Sequence, residues 1–280
     1  NYPQSFGGFG RVESDYALLQ IGISWAYEIT DEFSIGVQPT FNWASLELTP
    51  NPIATPSQTM GYPVSEANAL GIGGQVGLFY ASPKGIKAGV SYKTPQYFQD
   101  FEFDSEYLDG SAAPDVAFQM DYPSILSFGL GYSNAAIDLA LDYRMVDYEN
   151  TDGFKASGWH IADEGPFTGF PDGSVNGFGW ENISIISAGI KYKGIERVPL
   201  RIGYTYSSNP IKDELTFFNS PATAIIKNAF QFGLSYEANA NWQIDAVFHY
   251  GDSGGSTIGN ILDPTPAIDF DMDGFPDGPW

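Results

Sequence analysis

The feature that most constrains the fold is an alternation of large apolar and small or polar residues, which recurs about ten times along the chain. In segment 19–27 every odd residue is large and apolar, and every even residue is small or polar. Segments 33–43 and 230–236 repeat the pattern. A period of two residues places successive side chains on opposite faces of a β-strand. Because no segment keeps a period of 3.6 residues, we expect an all-β protein.

The alternation predicts ten strands that are joined in turn by short turns and long loops. The strands are expected at 14–28, 33–48, 67–81, 86–98, 118–133, 136–148, 180–193, 198–207, 226–237 and 241–250. The long connections lie at 49–66, 99–117, 149–179, 208–225 and 251–280. A regular alternation of short and long connections is typical of an antiparallel, up-and-down sheet whose short turns share one end.

Charge is divided unevenly between the two ends of this predicted sheet. The chain has 12 Lys and Arg against 34 Asp and Glu, a net charge of −22, and the five long loops hold 20 of the acids. Such acidity excludes broad binding to nucleic-acid phosphates. Seven bases are expected around two of the short turns: Lys84, Lys87, Lys93, Lys191, Lys193, Arg197 and Arg201. The absence of cysteine excludes a disulfide scaffold and thiolate metal sites.

Two architectures fit the alternation, a soluble sandwich or barrel and an outer-membrane barrel with its apolar face toward lipid. The face opposite the apolar one consists mostly of Gly, Ser, Ala, Gln and Thr, whereas a water-exposed sheet face normally carries many charges. Aromatic residues make up 16% of the chain, and several are expected beside short turns, as in an interfacial belt. These are Tyr27, Phe33, Tyr92, Tyr132, Tyr192, Tyr236 and Trp242. The membrane barrel is therefore favoured.

Five short sequence motifs follow one another between residues 67 and 250. They are GVSYKTP at 89–95, DYPSILSFGLGY at 121–132, IDLALDY at 137–143, RIGYTYSSNP at 201–210 and GLSYEANANWQID at 233–245. In this order they resemble strand motifs of the FadL/TodX family of outer-membrane transporters for long-chain fatty acids and other hydrophobic compounds. The resemblance implies a fourteen-stranded barrel with an N-terminal hatch, whose extracellular loops capture the substrate.

We therefore expect residues 1–280 to form a single, incomplete outer-membrane β-barrel domain. About ten of fourteen strands are accounted for, and neither the hatch nor the closing strand is recognised in the sequence. The expected location is the outer membrane of a Gram-negative bacterium. The expected partners are outer-membrane lipid and a long-chain fatty acid or another hydrophobic small molecule, and a monomer is expected.

The predicted function is passive uptake of long-chain fatty acids or other hydrophobic compounds into the periplasm. One alternative is a porin for polar solutes, and another is an adhesin or structural surface barrel that acts through its long loops. The aromatic residues of loop 149–179 favour the first. An enzyme is not expected, because the two histidines, His160 and His249, have no partners spaced as in a catalytic triad.

The candidate ligand-binding residues are aromatic residues of two loops and two cations. The position of these cations in the two-residue alternation predicts that they face the lumen. They are Trp159, Phe167, Phe170, Phe178, Phe217, Phe218, Arg144 and Arg201. Aromatic residues at this density predict a capture surface for an apolar ligand, and the alternative is a loop packed on itself over the barrel mouth. A guanidinium group could receive a carboxylate, and the alternative is an ion-pair network that holds the wall in shape.

The C-terminal loop contains acids at a spacing that suits calcium. Asp269, Asp271, Asp273 and Asp277 surround a glycine, in the order D-x-D-x-D-G-x-x-D. Spaced carboxylates next to a turn glycine can supply an oxygen shell for Ca²⁺. An EF-hand is excluded because Trp280 stands where its last ligand, a glutamate, would be. The alternative is a solvated acidic loop, and no cofactor is expected to be required.

Overall fold

The structure is a computed structural model, and it describes residues 13–49, 62–107, 109–156, 159–161, 168–169, 171–215, 219, 225–239 and 241–254. The strands are β1 (Glu13–Gly22), β2 (Trp25–Glu28), β3 (Phe33–Thr49), β4 (Tyr62–Pro63), β5 (Ala67–Ala81), β6 (Ile86–Lys93), β7 (Tyr97–Phe98), β8 (Phe101–Glu106), β9 (Ala112–Phe118), β10 (Ser124–Ser133), β11 (Ile137–Asp147), β12 (Trp159–Ile161), β13 (Pro171–Val175), β14 (Ile183–Tyr192), β15 (Leu200–Ser207), β16 (Asn228–Asn239) and β17 (Trp242–Asp252). Within these ranges no helix is long and apolar enough to cross a membrane.

One large antiparallel sheet dominates the molecule. Its strand order is β1-β3-β5-β6-β10-β11-β14-β15-β16-β17, while β2 pairs with β3 and β7 pairs with β5. Consecutive strands of this path are neighbours, which confirms the all-β, up-and-down prediction. In the described part of the chain, β1 and β17 stand at the two ends of the path and do not pair with each other. The described sheet is thus an open wall, as expected for an incomplete barrel.

The interruption between β1 and β2 has a local cause. Both strands pair with β3 in one register, since Gly22 faces Thr40 and Trp25 faces Val37. Between these pairs the Ile23 amide donates to the Pro39 carbonyl at 3.2 Å, but proline has no N–H to return a bond. The predicted strand 14–28 is therefore observed as β1 and β2, which follow β3 in one continuous register with one ladder hydrogen bond missing between them.

The large apolar residues of the alternating pattern point away from the inside of the wall. Ile21, Ile72 and Leu130 are 60%, 60% and 61% exposed, respectively. The same outward orientation holds for Ile23, Trp25, Val37, Phe41, Phe128, Phe232 and Leu234. Gly22, Ser24, Gln38, Ser127 and Gln231 alternate with these residues and lie on the opposite face. A soluble sandwich would bury the apolar face, so this orientation confirms a lipid-facing wall.

Most of the predicted belt aromatics lie close to the short turns, but Tyr92 is an exception. Tyr27 and Phe33 flank the turn between β2 and β3, and Trp242 opens β17. Tyr92 lies at the end of β6 opposite its short turn, which precedes Ile86. The prediction that placed Tyr92 beside a short turn was wrong, because β6 runs away from that turn and Tyr92 is its last residue but one.

The long connections contain strands of their own, which the sequence analysis did not predict. β8 and β9 form a hairpin within the expected loop 99–117, and β4 adds a third strand to it. The expected strand 118–133 is consequently shorter and begins at Ser124. In β8, Phe101 and Phe103 are buried while the acids that follow each of them, Glu102 and Asp104, are exposed. This alternation of phenylalanine and acid is the sequence signal for the hairpin.

The outward face makes a direct prediction about stability in lipid. Replacing Leu130 with Arg should lower the free energy of unfolding by about 2–4 kcal/mol, because a charge near the bilayer midplane is costly. Ser187→Arg is the matched control, since residue 187 alternates with the outward-facing Ile186 and pairs in the register with Asp142 rather than with a cation. Urea titrations in lipid vesicles measure both. If the two variants lost the same free energy, the assignment of the lipid-facing side would fail.

Candidate functional site

An apolar cluster occupies the inner face of the wall at its long-loop end. The β8–β9 hairpin contributes Phe101 and Phe103, which are both 0% exposed. Buried residues around them are Ala44, Leu46, Leu48, Ala67, Ala69, Phe98, Phe118, Met120 and Phe178. We call these residues together the mouth cluster. A water-filled porin has a polar interior, so an apolar filling at one end of the lumen distinguishes this wall from a porin wall.

Phe178 of the mouth cluster also belongs to a group of four contacting aromatic rings, which lies on the cluster and which we call the aromatic cover: Tyr148, Phe154, Phe178 and Trp180. The Trp180 ring centroid is 4.9 Å from those of both Tyr148 and Phe154. The Trp180 amide donates to the Phe154 carbonyl at 3.0 Å. Burial raises the pKa of Tyr148 to about 12. These contacts make the cover a packed unit.

The aromatic residues predicted to capture ligand have different outcomes. Phe178 is 5% exposed and packs in the mouth cluster, as in the alternative of a loop folded over the barrel mouth. Trp159 lies in β12, which pairs with β13, and its side chain lies outside the described part of the chain. Phe167, Phe170, Phe217 and Phe218 also lie outside the described residues. A role in capture stays a prediction for all of these residues.

A hydrogen-bonded set of polar side chains, which we call the polar belt, lies below the mouth cluster. Gln96 is 0% exposed, and its Oε1 accepts bonds from Thr40 at 2.5 Å, Gln20 at 2.9 Å and Asn42 at 3.0 Å. Its Nε2 donates to the Thr94 carbonyl at 2.7 Å. Gly73 leaves the room for this side chain, because a Cβ there would lie 2.3 Å from Gln96 Nε2. The belt joins three neighbouring parts of the wall.

A buried carboxylate connects the mouth cluster to the loop above it. Asp121 is 5% exposed, and its Oδ1 accepts a hydrogen bond from the Phe98 amide at 2.9 Å. The Asp121 amide donates to the Asp152 carbonyl at 3.1 Å. Burial raises the pKa of Asp121, while the bond from Phe98 opposes that change. Asp121 therefore ties the strand end at Phe98 to the loop that carries the aromatic cover.

Below the polar belt, the inner face of the wall forms an open concavity of about 800 Å³. Its lining combines small residues such as Ser91 and Ser127 with the cations Lys93 and Arg144. The Lys93 ammonium lies 4.7 Å from the centre of the Tyr122 ring, and Tyr122 packs against the mouth cluster. A cation thus lies directly below the apolar filling, held in part by the ring face.

The lysine in this position was predicted to lie elsewhere. Lys93 was expected beside a short turn, but it ends β6 on the long-loop side and faces Gln75 in the register of β5. The prediction was wrong because strand direction places the two ends of β6 at opposite ends of the wall. Lys93 therefore lies next to Tyr122 at the mouth cluster and not next to a short turn.

The two arginines predicted to receive a carboxylate have different surroundings. The Arg201 guanidinium donates to Ser235 Oγ at 2.6 Å and lies 3.8 Å from the Asp245 carboxylate. This is the ion-pair network that was the alternative for Arg201. Arg144 lines the concavity, and no described carboxylate forms an ion pair with it. Arg144 is therefore better placed than Arg201 to meet a ligand.

The metal prediction concerns a segment that lies outside the described residues. Asp269, Asp271, Asp273 and Asp277 all fall beyond residue 254. In the described ranges, no group of three or more His, Asp and Glu residues could hold a metal ion. The calcium hypothesis stays a prediction.

An up-and-down wall with an apolar outer face, an interfacial aromatic belt and a partly apolar lumen defines the class of outer-membrane β-barrel channels. The chain belongs to the family described as outer membrane protein transport protein (OMPP1/FadL/TodX), whose model matches residues 2–274. Family membership places the chain in the bacterial outer membrane, among transport proteins rather than enzymes. It confirms the resemblance seen in the strand motifs.

Comparison with solved structures supports the same fold. The CymD monoaromatic hydrocarbon channel is 16% identical with a TM-score of 0.58, and the match covers 87% of this chain and 70% of that one. The corresponding values are 19%, 0.54, 84% and 65% for the Ralstonia pickettii toluene transporter TbuX. They are 12%, 0.62, 85% and 61% for a Pseudomonas aeruginosa FadL homologue. The chain thus spans 61% to 70% of the length of these proteins. A search of curated proteins found no match.

Proposed function

We propose that this chain forms the wall of a monomeric outer-membrane channel for passive uptake of hydrophobic compounds into the periplasm, with long-chain fatty acids as its substrate class. The observation that carries the proposal is the position of Lys93 and Arg144 in the concavity on the short-turn side of the mouth cluster, where Lys93 contacts the Tyr122 ring. An amphipathic acid has its apolar tail and its carboxylate in the same order. The tail would pass through the cluster, and the carboxylate would reach the two cations.

The apolar contribution should dominate the binding of such a ligand. Each CH₂ group removed from water contributes roughly 0.8 kcal/mol. An ion pair in a wet lumen contributes about 0–1 kcal/mol. Chain length should therefore determine affinity, and the two cations should orient the acid with its carboxylate toward the periplasm.

The mouth cluster argues against the alternative of a polar-solute porin. Phe101 and Phe103 project from the β8–β9 hairpin into the lumen and are fully buried there. A polar solute would lose its hydration on entering this region and would gain no hydrogen bonds from phenylalanine. A hydrophobic solute loses little by the same transfer, so the cluster favours hydrophobic compounds.

The predicted loop residues complete the proposal on the extracellular side. Trp159, Phe167, Phe170, Phe217 and Phe218 would form the first contact for the ligand. Phe178, together with the rest of the aromatic cover, would form the second. The four C-terminal aspartates Asp269, Asp271, Asp273 and Asp277 would order their loop by binding calcium, which a calcium titration followed by calorimetry would test.

The orienting role of the cations has a specific test. The double variant Lys93→Gln, Arg144→Gln should reduce uptake of a long-chain fatty acid by up to about thirtyfold, since each of the two ion pairs contributes about 0–1 kcal/mol. Uptake of a neutral hydrocarbon of equal length should not change. Radiolabelled acid and hydrocarbon, supplied to proteoliposomes containing the full-length protein, measure both.

The control for this test is Lys212→Gln, which removes a cation from a loop outside the lumen. It should leave both uptake rates unchanged. If the double variant slowed the acid and the hydrocarbon equally, the cations would have no role in selecting an acid. The substrate class would then be the broader one of hydrophobic compounds in general.

A further inference from the structure

Asn219 is a fully buried polar residue that joins two of the long connections. It is 0% exposed. Its Oδ1 accepts a hydrogen bond from the Trp180 indole N–H at 2.5 Å. Its Nδ2 donates to the carbonyls of Phe178 at 2.8 Å and Leu215 at 2.9 Å. One side chain therefore holds the backbone and the ring of the aromatic cover to the connection that follows β15.

The bonded partners of Asn219 lie at the centre of the aromatic cover. Trp180 contacts three other rings of the cover, and Phe178 also packs in the mouth cluster. The Phe178 amide donates to the Gly153 carbonyl at 3.1 Å, which holds this segment to the loop before it. Displacement of Phe178 and Trp180 would uncover the mouth cluster.

A second tie joins the same two connections at the surface. The Glu181 amide donates to the Pro210 carbonyl at 2.8 Å, and the Lys212 ammonium lies 3.5 Å from the Glu181 carboxylate. Both charged side chains are 38% to 50% exposed, so this ion pair is screened by water. The buried amide of Asn219 is not screened in this way, and the two ties should differ strongly in strength.

We propose that Asn219 is a positioning residue that latches Trp180 and thereby keeps the aromatic cover closed over the mouth cluster. In the closed arrangement the phenylalanines of the cluster are inaccessible to a ligand, so a bulky hydrophobic compound enters only when the latch opens. The consequence for entry rests on the proposed function, whereas the latch itself rests only on the contacts of Asn219, Phe178 and Trp180.

Hydrogen exchange of the full-length protein in lipid vesicles tests the latch without a ligand. In Asn219→Ala, the indole N–H and two carbonyls lose their partner, and the open form should gain about tenfold or more in population. Backbone amides of Phe178 and Trp180, read from a peptide covering residues 176–182, should exchange faster by the same factor. Amides of β16 should not change.

Two further variants separate a latch from general destabilisation. Trp180→Phe keeps a ring in the cover but removes the indole donor, and it should raise exchange in the same peptide. The double variant of Trp180→Phe with Asn219→Ala should add little to Asn219→Ala alone, because that single change already removes the bond to the indole. Lys212→Ala breaks the surface ion pair and should alter exchange by less than twofold.

The exchange results decide the proposal. Unchanged exchange in Asn219→Ala, or an equal increase in Lys212→Ala, would overturn the latch. In the uptake assay, Asn219→Ala should admit a bulky hydrophobic compound faster and leave sugar permeation unchanged. Faster exchange without faster entry would overturn the link between latch and entry. Failure of the proposed function would appear separately, as no uptake by the unmodified protein above empty vesicles.

Discussion

Replacing both Phe101 and Phe103 with Ala should release the β8–β9 hairpin from the lumen and leave the barrel wall folded in the membrane. Each side chain is fully buried, and truncating a buried Phe to Ala typically costs about 3–5 kcal/mol. The hairpin pairs only with β4 in the described residues, so this cost falls on the mouth rather than on the wall. Limited proteolysis of the protein in vesicles should cut the variant rapidly within residues 101–118.

The matched control changes the opposite face of the same strand. Glu102 and Asp104 alternate with the two phenylalanines and are exposed. Replacing both with Ala should leave the cleavage rate nearly unchanged. Two outcomes would contradict the packing described for the mouth cluster. One is slow cleavage of the phenylalanine variant. The other is unfolding of the whole barrel at the denaturant concentration that releases the hairpin.

Gln96→Ala should lower the free energy of unfolding by about 3–5 kcal/mol, because it leaves several buried groups of the polar belt without a partner. Thr40 and Asn42, which both donate to the Gln96 side chain, are 3% and 4% exposed and have little access to replacement water. Urea unfolding in lipid vesicles, followed by tryptophan fluorescence, measures the loss.

Gln75→Ala provides the control for this second prediction. Gln75 has the same chemistry and also faces the lumen, but it lies exposed in the concavity below the belt. Its replacement should change the free energy of unfolding by less than about 0.5 kcal/mol, as at an ordinary surface position. If the two variants lost equal free energy, the polar belt would not be a structural unit of the wall.

The wall itself could be predicted from the sequence because its signal is local. A period of two residues follows from strand geometry alone, and the size of residues such as Ile21 against Gly22 determines which face meets lipid. The register then extends this assignment from strand to strand. Proline is unfavourable in a central strand, but Pro39 interrupts the hydrogen-bond ladder without shifting the register. The predicted faces of this strand are therefore correct on both sides of Pro39.

The inner site could be predicted only in part, because its contacts are long-range. Gln96 reaches Gln20 across 76 positions of sequence, and Gly73 makes room for it from a third segment. No local pattern reports such a contact. The β8–β9 hairpin is different, since its phenylalanines alternate with acids. The signal was present there, but a loop with six acids was taken as irregular.

The lumen cations show why parity alone is a weak guide to function. Parity correctly placed Arg144 and Arg201 on the inner face. It could not show that Arg201 meets Ser235 and Asp245, since those residues lie on β16 and β17. The environment of a charged side chain depends on its neighbours in the sheet, and these follow from the register of several strands together.

Uptake as a function of chain length tests the central proposal most directly. Proteoliposomes containing the full-length protein would receive fatty acids of 8 to 18 carbons and, separately, a sugar of similar mass. We expect uptake above that of empty vesicles to rise with chain length, since each CH₂ adds roughly 0.8 kcal/mol in the mouth cluster, while the sugar stays outside. Entry of the sugar without length-dependent uptake of the acids would contradict the proposed function and indicate a polar-solute porin.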